Sequence, residues 1–144
     1  MNPDDQRRGV AIHRAGHIIV AHGLGLTITT AAITIYGGIV AGRNGIEETQ
    51  SMSVPDRLAL CSAGSMAQEL FNAPAIDDCA SEDARQIHEL IGHLPEAVGR
   101  TLRDIGYRKA HEFIERDREK ITAVAEALAQ RLELSEAEIA ALLA

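Results

Sequence analysis

The sequence contains very few aromatic residues. Tryptophan is absent, and aromatic residues account for 3% of the 144 positions, whereas hydrophobic residues account for 46%. The hydrophobic core must therefore consist mainly of Ala, Leu, Ile and Val side chains. Because Ala and Leu are strong helix formers, this composition favours helices. We expect residues 1–144 to form one domain, since a chain of this length can bury a sizeable core.

The chain also has few cysteines and no net positive charge. The chain has two cysteines, Cys61 and Cys79, and a formal net charge of -7. Two cysteines without a CxxC pattern cannot form a disulfide framework, so we expect a reducing, cytoplasmic compartment. The acidic balance argues against a nucleic-acid partner. The P-loop motif is absent as well, which excludes a nucleotide-binding ATPase module of that type.

A long stretch of the chain carries no formal charge. No Asp, Glu, Lys or Arg occurs between Ala15 and Gly42, and a run of this length is long enough to cross a bilayer. It is interrupted by histidine, threonine and glycine, which disfavour a membrane helix. We therefore expect a helix end, a turn and a short strand buried in the protein core, and no membrane span. The first residues include Asp4 and Asp5 and do not resemble a signal peptide.

The strand signals are confined to one region. Residues 29–36 are rich in β-branched side chains and predict a strand. Gly37 and Gly38 predict a hairpin turn, with residues 39–41 returning as a second strand. Residues 42–51 are polar and predict a loop. The chain is therefore expected to be mainly α with a small β hairpin, an α+β domain.

Capping residues mark the helices. Asn2 and Pro3, followed by two acids, are typical of a helix start, and Ser53 with Asp56 and then Ser81 suggest two more. Apolar residues at helical spacing continue each pattern. The predicted helices span residues 3–23, 53–72, 81–93, 96–132 and 135–143.

Two histidines are spaced for metal binding. His13 and His17 are four residues apart within the first predicted helix, so both imidazoles point the same way. Two imidazoles at this spacing can bind one zinc ion. Histidine pairs at this spacing also occur by chance, so on spacing alone two ordinary helix histidines are the favoured alternative.

The residue after His13 departs from the zinc-peptidase motif HExxH. In that motif the Glu takes a proton from the water that the metal activates. This chain carries Arg14 there, and a guanidinium stays protonated at ordinary pH and cannot act as the base. Its charge would also repel a dication unless Arg14 turns outward or pairs with an acid. The candidate acids are Asp83, Glu69 and Glu82.

Several segments in order resemble one protein family. The segment HRAGHIIVAHGLGL resembles the HEAGHAxxxxxLGL segment of FtsH-type peptidase domains, the proteolytic part of membrane AAA+ zinc proteases. Residues 31–37 resemble the family's VTI strand and glycine turn, and residues 63–71 resemble its AGRxAEELxFG helix. Residues 80–83 resemble its ASND segment, and residues 107–143 its closing helices. The resemblance covers nearly the whole chain and implies a helical, FtsH-like zinc peptidase domain.

The resemblance assigns roles to particular residues. It implies that His13, His17 and Asp83 bind zinc, a set that leaves a fourth position for water. Asp83 is also explained as an acid in the first turn of a helix, where it interacts favourably with the dipole. Glu69 falls on the second Glu of AEEL and either orients a ligand histidine or is a solvated helix residue. Cys79 is close enough in sequence to Asp83 to replace it as a ligand.

The resemblance also bears on partners. The strand at Ile33, Thr34 and Ile35 matches the family's strand beside the active site, whose edge can hold an extended peptide; a plain core hairpin explains the same residues. The AAA+ module and the membrane anchor of the family have no counterpart in these residues. The partners that the resemblance implies are a peptide or protein substrate, a separate AAA+ ATPase, and further copies of the chain in a homo-oligomer, a hexamer by resemblance.

Three functions are compatible with these observations. The chain is a zinc metallopeptidase domain that retains hydrolysis, a zinc-binding relative whose catalysis is weakened or lost because of Arg14, or a metal-free helical module for peptide binding or assembly. We favour the second, because removing a general base costs about 10²- to 10⁴-fold in rate.

Overall fold

The computed structural model describes residues 2–36, 39–48 and 51–144. Within these ranges it is mainly helical with a small antiparallel sheet, which confirms the predicted class. The elements are α1 (Pro3–Gly23), β1 (Thr27–Tyr36), β2 (Ile39–Glu47), α2 (Val54–Leu70), α3 (Asp77–Ile91), α4 (Glu96–Arg116), α5 (Arg118–Arg131), β3 (Glu133–Ser135) and α6 (Glu136–Leu143).

Helix α1 is the central element of the fold. It begins as predicted, with the Asn2 side chain accepting a hydrogen bond from the Asp5 amide at 2.8 Å. Every residue from Gly9 to Ala21 is buried except Arg14, because α2, α5 and the sheet surround this helix. Much of the uncharged stretch is therefore protein core. Among the described residues, no helix has the length and apolar character needed to cross a membrane.

The sheet has the order β2-β1-β3, and both pairs are antiparallel. Strand β2 is longer than predicted, because residues 42–47 continue it instead of forming a loop. Gly42, Asn44 and Gly45 are poor strand formers, so pairing with β1 rather than local propensity makes this segment extended. The predicted turn at residues 37–38 lies outside the described residues. Strand β3 was missed because three residues are too short to show an alternating pattern.

Helix α3 begins earlier than predicted. It starts at Asp77 and not at Ser81, and the residue before it, Ile76, provides no side-chain cap. Without a capping residue the sequence gives no signal for this start. The shift places Asp83 in the second turn of α3. Since the helix dipole acts mainly on the first turn, the dipole does not account for Asp83.

The remaining helices differ from the prediction at one point. The long helix predicted over residues 96–132 is divided at Asp117, whose backbone has φ -117° and ψ 34°. Helix α2 has the predicted cap at Ser53, and α6 has a reciprocal capping box between Ser135 and Glu138. The helices and the sheet enclose a core of aliphatic side chains that includes Ile18, Leu58, Ile114, Leu128 and Leu134.

Candidate metal centre

Three predicted side chains meet inside the protein. His13 and His17 project from α1 and Asp83 projects from α3, and all three are at least 93% buried. The Nε2 atoms of the two histidines are 3.1 Å apart. Asp83 Oδ2 lies 2.9 Å from Nε2 of His13 and 3.3 Å from Nε2 of His17. These buried ligand atoms form a group that can hold a metal ion.

A hydrogen-bond network fixes the tautomer of His13. The side-chain Nε2 of Gln68 donates to the carbonyls of Gly9 at 3.0 Å and Pro74 at 3.1 Å. Its Oε1 must therefore face Nδ1 of His13, at 3.1 Å, as an acceptor. Because a neutral imidazole has only one N–H, donation from Nδ1 leaves a lone pair on Nε2 of His13.

The same reasoning applies to His17. Its Nδ1 lies 2.7 Å from the carbonyl oxygen of Leu60, which can only accept a hydrogen bond. Nε2 of His17 then also carries a lone pair. Two imidazole lone pairs and a carboxylate oxygen thus face one another, and Asp83 Oδ2 is buried without a hydrogen-bond partner. A cation among these atoms would satisfy all three, so the residues present fit a metal ion.

The electrostatics favour the protonation states that a metal requires. Burial lowers the pKa of His17 from 6.5, and this effect outweighs the opposing attraction of Asp83. Burial raises the pKa of Asp83, but hydrogen bonds from the two imidazoles, which require a proton on Nε2, outweigh burial and lower the pKa from 3.8 to about 2. At neutral pH His17 is therefore neutral, as metal binding requires.

The stability of the metal-free protein is expected to fall as the pH drops below 6.5. Because the pKa of His17 is lowered from 6.5 on folding, the unfolded chain takes up this proton first, which favours unfolding below that pH. One proton contributes at most about 1.4 kcal/mol per pH unit. A second loss of stability follows below pH 3.8. The unfolded chain takes up a proton at Asp83 there, whereas the folded protein, in which the pKa of Asp83 is about 2, does so only at lower pH.

Denaturant unfolding in EDTA, between about pH 8 and about pH 5, measures this dependence. The variant His17→Gln should show a smaller change in unfolding free energy over the same range. Equal changes for the two proteins would show that His17 is not the group responsible.

The site requires close contact between α1 and α2. A Cβ added at Gly64 of α2 would overlap the imidazole ring of His13. A Cβ at Gly16 of α1 would lie 2.6 Å from the Ala63 carbonyl oxygen and 2.7 Å from Ala67 Cβ. Glycine at both positions therefore lets the helices approach closely enough for Gln68 and Leu60 to reach the two histidines.

Arg14 lies beside the candidate metal centre. It lines a cleft of about 210 Å³ together with His17, Asp83 and residues of β2 and α2. Within the described ranges, no ion pair joins Arg14 to any of its three predicted partners. Glu82 instead pairs with Arg85, and Asp83 faces the histidines.

Of the two alternatives for Glu69, the structure shows the solvated helix residue and not the one that orients a histidine. Glu69 is exposed on α2, and the Nδ1 atoms of the two histidines contact Gln68 and Leu60 instead. Which residue of α2 faces His13 depends on how α2 is rotated against α1, and the sequence holds no direct signal of this. Gln68 was missed for the same reason.

The predicted peptide-binding segment pairs with β2 on one side, and on the other side it lies beyond β3, which pairs with β1 only at residues 30–32. Peptide binding along Ile33, Thr34 and Ile35 therefore stays a prediction. The amide of Ile33 already donates to the carbonyl of Leu132 at 2.7 Å. Strand β2 is an edge strand of the described sheet, and its residues Asn44 and Ile46 line the cleft beside Arg14.

Neither cysteine belongs to the ligand group. Cys79 is buried among the hydrophobic core residues and does not take the place of Asp83 in the ligand group. Cys61 lines the cleft, but burial, together with the nearby Asp83, raises its pKa to about 12. Its thiol therefore stays protonated, and its Sγ lies 3.4 Å from Oε1 of Gln86, to which it donates.

No protein-family model matches the chain, and a search of curated proteins finds no match. Membership of the FtsH-type family therefore stays a prediction from the sequence motifs.

Proposed function

We propose that the chain is a zinc-binding domain of the FtsH-like metallopeptidase type that binds peptides and in which hydrolysis is weakened or lost. The observation that supports this is the arrangement of three buried ligand atoms, two with lone pairs fixed by hydrogen bonds and one a carboxylate oxygen without a hydrogen-bond partner. His13, His17 and Asp83 would hold the ion.

The ligand set favours zinc over other common cations. Two neutral imidazoles and one carboxylate suit zinc, whereas magnesium and calcium prefer oxygen ligands alone. Tetrahedral zinc with ligand bonds near 2.0 Å separates neighbouring ligand atoms by about 3.3 Å. The three ligand atoms here are separated by 2.9, 3.1 and 3.3 Å.

Zinc, when bound, would polarise a carbonyl group and lower the pKa of a water molecule. Among the described residues, no unpaired acid lines the cleft to take the proton from such a water. Arg14 stays protonated, and the acids that line the cleft are ion-paired, Glu48 with Arg57 at 3.0 Å and Glu82 with Arg85. Without a base, the expected rate is lower by about 10²- to 10⁴-fold.

Peptide binding is supported by the position of β2. This strand has β1 on one side, and no other described strand pairs with it. An extended peptide can add to such an edge through main-chain hydrogen bonds. Because Asn44 and Ile46 of β2 line the cleft, a peptide bound there would pass beside the metal ligands.

The zinc content of the purified protein tests this proposal. After treatment with EDTA and dialysis against equal zinc and magnesium, we expect one zinc and no magnesium per chain by mass spectrometry of the metals. Hydrolysis of fluorescent casein should stay close to the rate without protein. A chain that retains no zinc at neutral pH would contradict the proposal and leave the metal-free helical module as the explanation.

A further inference from the structure

Arg14 occupies an unusual position in the fold. It is the one residue between Gly9 and Ala21 that is not buried, in a helix segment otherwise enclosed on all sides. The side chain enters the cleft that also exposes His17 and Asp83. A charged side chain at such a position reaches solvent, balances a nearby charge or binds one from outside.

The stem of Arg14 is held in place. A Cβ on Gly42 of β2 would lie 2.9 Å from Cγ and 3.0 Å from Cδ of Arg14, so the stem packs directly on the glycine backbone. The side-chain amide of Asn44 donates to the Arg14 carbonyl at 3.2 Å and ties the same strand to α1. Arg14 Nε is buried and has no hydrogen-bond partner in the described structure.

The described acids of the cleft do not form ion pairs with Arg14. Glu48 is paired with Arg57, and Glu82 shares Arg85 with Glu89. Asp83 is directed at the two histidines. With a divalent cation at the histidines and Asp83, the cleft therefore carries a net positive charge. Without the cation, the charges of Asp83 and Arg14 cancel.

We propose that this cleft binds the C-terminal carboxylate of a peptide, with the guanidinium of Arg14 as its main ligand. This inference rests on the proposed function and names the part of the peptide that the site takes. Arginine binds a planar carboxylate through two parallel hydrogen bonds, and the guanidinium of Arg14, which lines the cleft, forms no hydrogen bond or ion pair with any described residue.

The shape of the cleft favours a peptide end over a small free anion. A volume of about 210 Å³ is below that of typical sites for whole small ligands, yet it continues to the edge strand β2. That edge can take the preceding main chain, and Ile46 and Leu60 provide apolar surface for the last side chain. Two matched peptides, acetyl-Ala-Ala-Leu with a free carboxylate and with a C-terminal amide, are suitable probes.

Isothermal titration calorimetry of the zinc-loaded full chain tests the proposal. The acid peptide is expected to bind at least about tenfold more tightly than the amide peptide, since a charged hydrogen-bond pair is lost in the amide. EDTA-treated protein should bind the acid about tenfold more weakly as well, because the positive charge of the ion is absent. Inorganic phosphate should bind more weakly than the acid peptide.

Arg14→Gln is the decisive variant. It should reduce affinity for the acid peptide by about tenfold or more and leave the zinc content unchanged. Arg108→Gln removes the same charge from an exposed position on α4 and should leave both the affinity for the acid peptide and the zinc content unchanged. If Arg14→Gln does not fold, Arg14→Lys keeps the charge without the paired donors, and an intermediate affinity is expected.

The outcomes separate this inference from the proposed function. Zinc bound by the wild type together with equal affinity for the acid and amide peptides would overturn the carboxylate site alone. Unchanged acid affinity in Arg14→Gln would do the same, and tighter binding of phosphate than of the acid peptide would assign the site to a free anion. A wild type without zinc would overturn both.

Discussion

Replacing Arg14 with glutamate is expected to raise casein hydrolysis by about 10²- to 10⁴-fold over the wild-type rate, the contribution of a general base. The substitution creates the HExxH pattern and places a carboxylate next to His13, in the cleft beside the candidate metal ligands. It also removes a positive charge beside the proposed cation, so zinc should remain bound. The rate of fluorescent casein cleavage with one equivalent of zinc measures the effect.

A matched variant separates the new base from the lost charge. Arg14→Gln removes the guanidinium without adding a base and should show no comparable gain. Because Gln and Glu have nearly the same shape, a difference between the variants reports on the carboxylate. No gain in Arg14→Glu, with zinc confirmed in the same sample, would count against the assignment of this cleft as a peptidase-type site.

Replacing His17 with alanine is expected to weaken zinc binding by about 100-fold or more. Zinc sites with about four ligands bind with roughly 10–16 kcal/mol, so the loss of one ligand removes about a quarter of this. His17 is held by the Leu60 carbonyl with its free nitrogen towards Asp83, and no described residue beside it can take over. Competition with a fluorescent chelator measures the affinity.

His22→Ala provides the control for this experiment. His22 lies on the same helix, is exposed and does not belong to the ligand group. Its removal should leave zinc affinity unchanged, and circular dichroism should show that both variants keep their helices. If the two alanine variants bind zinc equally, the ligand set described above is wrong.

The sequence predicted the helical half of the site well. The four-residue spacing of His13 and His17 already places both imidazoles on one side of a helix, since this follows from local geometry. The start of α1 was equally clear, because Asn2 and Pro3 act on the residues next to them. That Asp83 would lie beside this pair was predicted from the motif resemblance and not from local geometry.

What could not be predicted depends on contacts between distant segments. The start of α3 has no side-chain cap, and residues 42–47 become a strand only because β1 pairs with them. Gln68 rather than Glu69 reaches His13 because of the rotation of α2 against α1. In each case tertiary packing overrides a weak or misleading local preference.

The structure also changes the interpretation of Arg14. In the sequence it stands at the position where the HExxH motif has its catalytic base. In the fold its stem packs on Gly42, and its charge lies in the cleft beside the candidate metal ligands, where a bound cation would leave it without a balancing charge. Arg14 is thus placed to bind an anion, which no local pattern around it predicts.

The zinc K-edge X-ray absorption spectrum of the reconstituted protein tests the central claim most directly. The ligand set of two histidines and one aspartate predicts nitrogen and oxygen neighbours at about 2.0 Å, with the outer-shell scattering of two imidazoles. A sulfur shell at about 2.3 Å, or scattering from fewer than two imidazoles, would contradict it, because the zinc would then be bound elsewhere in the chain.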